Sequence, residues 1–177
     1  MNSELTILRE IYGFDFPNDF FEFYEFSQEN PSFFRGGLAG YESPLGISLG
    51  NVFNVFEKKN DFKNSHTLKT DRYYNDPPEF FTLLRGNSDG LHWGYYVDAP
   101  GELPPVISSY YSNDAFELSY NGVSLFEMLR AELESCFEGA LENINDPEYE
   151  NSENHLQDLN EMREKLKNYE TKSERHF

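Results

Sequence analysis

A single cysteine, Cys136, in 177 residues leaves no disulfide to staple the chain internally. No apolar run approaches the roughly 18 to 20 residues that crossing a bilayer takes. The N-terminus lacks the basic start, apolar stretch and small-residue cleavage site of a secretory signal. The expected location is therefore the cytoplasm, with no membrane partner. Basic residues are scarce as well: 14 Lys and Arg stand against 32 Asp and Glu, a formal charge of −18. Such a field repels nucleic acid and anionic membranes and steers in basic proteins, raising association rates roughly ten- to a thousandfold. No Cys/His spacing suggests zinc. No Gly-Lys-Ser/Thr follows Gly36, Gly37 and Gly40 to make a phosphate loop, and a Gly-x-Ser-x-Gly elbow is missing. Neither a metal nor a cofactor is expected.

What the chain does hold is aromatic. Its 17 Phe and 12 Tyr can fill a core despite the polar overall composition, and its length suits one domain with an appendage. Residues 72–107 form the apparent spine. Two strand-length apolar runs, 80–84 and 91–97, flank Gly86-Asn87-Ser88-Asp89-Gly90, a sequence suited to a tight turn, and together they read as a hairpin.

In chain order, Ser3 is placed to cap a first helix ending at Gly13, and a second helix is expected to start near Phe16-Pro17. Residues 30–50 read as loop with room for a short strand. Residues 51–56 suit a strand or one helical turn, and 57–69 read as a solvated loop. After the hairpin, 106–111 and 116–120 are strand candidates, the first starting beyond Pro104-Pro105 because proline donates no ladder hydrogen bond. Ser124 and Glu127 have capping-box spacing, and Leu125, Met128, Leu129, Leu133, Cys136, Phe137, Ala140 and Leu141 mark the buried face of the helix that follows. From Asp146-Pro147 onward the chain is charged, with Leu156, Leu159, Met162, Leu166 and Tyr169 at helical spacing. The fold class is α+β: a twisted antiparallel sheet with N-terminal helices and a closing C-terminal helix. The division is a domain over 1–143 and an acidic amphipathic extension over 144–177.

Asp76, Glu79, Asp98 and Glu102 cluster in sequence around the hairpin and invite an acid–base or hard-metal reading. They sit in Pro- and Gly-rich turns, where a carboxylate more often accepts from nearby amides. His92 is a lone strand histidine, more often structural than catalytic. No catalytic residue is assigned. As a partner-binding surface, the acidic, Tyr-rich stretch proposes Tyr73, Tyr74, Asp76, Glu79, Tyr96, Asp98, Glu102, Tyr110 and Tyr111.

Tyr74, Asp76-Pro77-Pro78-Glu79-Phe80, Gly86, His92, Gly94-Tyr95, Asp98, Pro100, Glu102 and Pro104 resemble a run in the histone PARylation factor family. Phe16-Pro17-Asn18-Asp19-Phe20, with Phe23 and Phe26, is similar to the same family's early helix, so the resemblance covers residues 16–141. That family's N-terminal part is similar in fold to the SUKH superfamily, many of whose bacterial members are immunity proteins that neutralise a toxin. Factor-family members complete a polymerase active site with a glutamate from a C-terminal domain. This sequence is expected to stop short of such a domain, and its tail has no Asn-Asp-Glu motif.

Weighed together, charge, size and the SUKH resemblance favour a non-catalytic immunity protein that occludes a basic protein toxin, such as a nuclease. The alternative is an accessory or scaffold protein in ADP-ribosylation signalling. A hydrolase using the hairpin carboxylates comes last.

Overall fold

The computed structural model describes residues 2–34, 43–99, 101, 105–114, 117–144 and 152–173. Expectations that rest on Gly36, Gly37, Gly40, Pro100, Glu102, Pro104, Phe116, Asp146-Pro147 or His176 lie outside the described residues. The elements run α1 (Asn2–Tyr12), α2 (Asn18–Glu29), β1 (Ser48–Leu49), α3 (Lys59–Ser65), β2 (Phe80–Arg85), β3 (Leu91–Tyr96), β4 (Val106–Tyr111), β5 (Leu118–Gly122), α4 (Leu125–Glu142) and α5 (Ser152–Ser173). The strands form one antiparallel sheet in sequence order, β1 to β5. The class is α+β, as the sequence pattern implies.

The sheet's two faces have different tasks. Strand alternation places Leu84, Trp93, Tyr95, Ser109 and Ile107 on one face and Phe80, His92, Tyr110 and Ser108 on the other. The first face meets the helices. Phe14 and Phe16 pack edge-on against the Tyr95 ring, and Phe20 stacks on Phe53 of a 3-10 turn over Asn51–Val55. Tyr95 Oη donates to Asp19 Oδ1 at 3.3 Å, and the other oxygen of Asp19 accepts from Leu125 N at 2.7 Å. One half-buried carboxylate of α2 thus also caps α4. Burial pushes the Asp19 carboxyl up, while the bond from Leu125 opposes that rise.

The start of α4 departs slightly from the sequence reading. Ser124 Oγ accepts from Glu127 N at 3.1 Å, but the Glu127 carboxylate accepts from Val123 N, one residue before the expected amide. Ser3 lies inside α1 rather than capping it, and its hydroxyl donates to Glu4. Helix α2 starts at Asn18 with Pro17 as its N-cap.

Residues 57–69 are not simply solvated loop. They contain α3, because Phe62 and His66, four residues apart, stack at 4.2 Å and bury one side of a short amphipathic turn. Lysine spacing obscured that stripe. Glu4 of α1, buried, pairs with Lys59, which holds its carboxyl well below the usual range.

Helix α5 lies against α4 and α2. Leu159, Met162 and Leu166 are fully enclosed, and the Tyr169 ring stacks on Phe126 at 5.2 Å and meets Phe26 edge-on at 5.0 Å. Arg163 forks onto Glu134 and lies 3.9 Å over the Phe137 ring. A partly exposed ion pair contributes at most about 1 kcal/mol, whereas each enclosed Leu or Met contributes roughly 1.5–3 kcal/mol. The apolar stripe therefore holds α5 in place.

Candidate functional site

The segment before the hairpin folds back over the sheet face that the helices leave open. Asp71 and Asn75 both adopt left-handed backbone, with φ of 66° and 69°. The bend between them is fixed by Arg72, whose guanidinium donates to the carbonyls of Asp76 (2.9 Å), Pro77 (2.5 Å), Pro78 (3.3 Å) and Phe80 (3.0 Å). Two consecutive prolines suit this clamp, since they offer carbonyl acceptors and no competing amide donors. Asp76 closes the turn by accepting from Tyr73 N through Oδ2 at 2.8 Å.

The other oxygen of Asp76 lies 2.9 Å from His92 Nε2, and neither side chain is exposed. His92 Nδ1 is 2.7 Å from the carbonyl of Gly90. A carbonyl oxygen only accepts, so Nδ1 carries a hydrogen. The contact between Nε2 and the carboxylate needs a second proton between them, held by one partner or the other. Tyr73 lies flat on the imidazole at 4.1 Å, Phe80 meets it edge-on at 5.2 Å and Tyr110 at 5.7 Å. Tyr110 Oη donates to Asn75 O at 3.2 Å, tying the segment to β4.

An Asp–His pair is the arrangement that general-base catalysis uses, but this one is sealed under three aromatic rings. A reacting group cannot approach either nitrogen without opening the turn. As built, the pair positions backbone.

A second polar group sits on the same segment. Asp71, buried, pairs with Arg85 and accepts from Asn51 Nδ2 at 2.7 Å. Nearby, His66 Nε2 lies 2.6 Å from Tyr12 Oη. Burial lowers the His66 pKa, against the pull of Asp71, and burial followed by the Asp71 charge pushes the Tyr12 phenol up. Both shifts favour the uncharged forms of the two partners, a phenol beside an imidazole. Cys136, half-buried on α4, has its thiol pushed up by burial and then by Glu132, the opposite of what a nucleophile needs. Among the described residues no group of three or more His, Cys, Asp or Glu is placed to hold a metal ion, and no helix is long and apolar enough to cross a membrane.

The nine residues read from sequence as a binding surface separate into two sets. Asp76 and Tyr110 are interior, and Tyr73 is half-buried on His92. Tyr74 is 84% exposed, Asp98 and Tyr111 are also exposed, and Glu79 and Tyr96 are partly so. Tyr111 points to the opposite side of the sheet from Tyr110. Glu102 is outside the described residues. Sequence reading missed the Asp76–His92 pair, which spans 16 positions, and the role of Arg72; the Pro-Pro dipeptide beside an isolated arginine was the available signal.

The sequence model of the family described as histone PARylation factor 1 matches residues 4–176. Histone PARylation factor 1 of Danio rerio is 31% identical over 125 residues, which cover 67% of this chain and 34% of the relative. The Mus musculus protein of the same name is 30% identical over 129 residues, covering 70% and 36%. The chain thus spans about a third of the length of these curated relatives. These matches overturn the reading of a SUKH-type bacterial immunity protein bound to a basic toxin. The physical reason for the error is plain: a charge of −18 attracts any basic partner, and nothing in that field selects a toxin.

Proposed function

The chain belongs to the histone PARylation factor 1 family, and from that premise we propose that it is a non-catalytic accessory domain that holds a protein of the ADP-ribosylation machinery. The observation that carries this reading is the extent of the family match, which takes in the whole of the clamp and hairpin, residues 72–107. The relatives' name connects them with the PARylation of histones, and the accessory role is extended from them to this chain.

The geometry supports a binding role for Tyr74. Both of its neighbours are fixed, Tyr73 by its amide bond to Asp76 and its stacking on His92, Asn75 by the bond that Tyr110 makes to its carbonyl. Tyr74 itself stands 84% exposed on that bend. A large aromatic on prefixed backbone loses little conformational entropy when a partner covers it, and tyrosine is enriched among the residues that dominate interfaces. The Asp76–His92 pair and the Arg72 clamp serve function by presenting this side chain.

The experiment is affinity capture from the source cell by the immobilised chain, in parallel with Tyr74→Ala, followed by identification of bound proteins. Retention of an ADP-ribosyltransferase or its protein substrate by the wild type, weakened at least about tenfold by Tyr74→Ala, is expected; a loss of about 1.4 kcal/mol has that effect. Retention of neither class overturns the reading.

A further inference from the structure

The two edges of the sheet are unlike. At one, β1 is two residues long, too short to template another strand. At the other, β5 is five residues long, with Leu118, Ser119 and Tyr120 exposed, and among the described residues its only ladder is with β4. Natural edges are usually blunted by lysine, proline or a covering element. Leu118–Gly122 contains neither lysine nor proline. Large apolar side chains collect here instead: Tyr120 is 65% exposed, Val123 52% and Leu118 39%. Leu118 and Tyr120 lie on one sheet face, the same face as their cross-strand partners Tyr110 and Ser108, so they present the alternate-residue pattern that an added strand would read.

Charge identifies what would add. Residues 86–129 hold six carboxylates and no lysine or arginine. Four of them flank β5. Exposed Asp114 and Glu117 precede it, Asp89 lies at the neighbouring turn through its bond from Asn113 N, and Glu127 follows it through its bond from Val123 N. A second copy of the chain paired edge to edge would bring two acid-only stretches together, which opposes self-association. We propose that β5 is a strand-addition site for an extended, Lys/Arg-rich peptide segment. Backbone hydrogen bonds along the edge that no described strand pairs supply the pairing, Leu118 and Tyr120 contact alternate side chains of the peptide, and the flanking carboxylates set its charge. Tyr120 is also available to a lysine or arginine head group through its ring face. This site is separate from Tyr74 and does not depend on the accessory reading.

The test uses the full chain and a fluorescein-labelled peptide of about ten residues, near the upper end of ordinary strand length, alternating lysine with valine or threonine. Anisotropy gives affinity at about 50 mM and about 500 mM salt, where screening lengths differ about threefold. Backbone hydrogen exchange locates the site. The Leu118→Lys/Tyr120→Lys double variant is compared with Asp158→Asn/Glu161→Gln on α5, which changes net charge by the same amount at exposed positions away from the sheet. The proposal expects slowed exchange in β5 on binding, weaker binding at the higher salt, and at least tenfold loss in the β5 variant against less than threefold in the α5 variant. Circular dichroism verifies that both variants fold. No binding at the lower salt, equal losses in the two variants, or protection confined to other elements overturns it. So does a concentration-dependent dimer of the unliganded chain that the β5 variant abolishes.

Discussion

His92 Nε2 and Asp76 Oδ1 lie 2.9 Å apart with neither side chain exposed to solvent, while His92 Nδ1 donates to the Gly90 carbonyl at 2.7 Å. This pair joins the turn before β2 to β3, the second strand of the hairpin, and Asp76 lies two residues from the exposed Tyr74. Removing one partner leaves the other buried without a match, so His92→Ala is expected to destabilise by about 3–5 kcal/mol. Asp76→Asn should be milder, under about 1.5 kcal/mol. The asparagine oxygen still accepts from Tyr73 N, and its amide donates to a neutral imidazole. Urea unfolding of the two variants checks this ordering, and equal losses would mean that the charge rather than the bonding matters.

Glycine supplies a contrast in packing. A Cβ built on Gly94 in β3 falls 2.2 Å from the Phe81 carbonyl oxygen, where the β2 ladder shifts register. Backbone cannot yield as a flexible side chain does, so Gly94→Ala should lose about 3 kcal/mol or more. Gly139 lies within α4 with nothing near its Cβ position, and Gly139→Ala should gain about 0.5–1 kcal/mol. Thermal melts of both variants give the two signs.

The α4 N-terminus has two caps, one local and one remote. Ser124→Ala removes only the bond from Glu127 N and is expected to lose about 1 kcal/mol. Asp19→Ala removes an acceptor shared by Leu125 N and Tyr95 Oη inside the protein, and should lose more, about 2–4 kcal/mol. Denaturant midpoints compared at equal m-values test the order.

His66 makes stability depend on pH. Its folded pKa is depressed from an ordinary 6.5, first by burial, with the Asp71 charge opposing. The unfolded chain therefore binds the proton more readily. The stabilisation is fully present above pH 6.5 and is lost as pH falls through the lower native value. Phe62 stacks on the ring and Tyr12 Oη lies within hydrogen-bond distance of it. Asp19 and Glu132, whose carboxyls burial pushes up, act in the opposite sense on acidification. The difference between wild type and His66→Asn isolates the imidazole. Urea unfolding at about pH 7.5, 6.5 and 5.5 should show the wild type losing stability faster than the variant, and parallel curves would contradict the assignment.

These tests also mark where the sequence was informative. The hairpin, β4 and α4 were legible because strand alternation, turn residues and a capping serine all act within a few positions. The α5 stripe was legible for the same reason. The 57–69 stretch was misread because Phe62 and His66 are only two residues in a lysine-rich frame, and their burial depends on Tyr12 from another helix. In the candidate site, Tyr74 was among the named residues, but its neighbour Asp76 could not be separated from it. Both lie in one polar, aromatic turn, and only the fold, by bringing His92 across 16 positions, turns one inward and leaves the other out. The partner was misassigned because long-range charge is shared by all basic ligands.

The measurement closest to the central claim is an ADP-ribosylation reaction with labelled NAD, a poly(ADP-ribose) polymerase and histone, run with and without increasing amounts of the purified chain. An accessory domain predicts that the amount or the position of label on histone changes as the chain is added, that Tyr74→Ala needs at least about tenfold more protein for the same change, and that the chain with NAD and histone alone transfers no label. Label identical in amount and position at every ratio of chain to polymerase would contradict it.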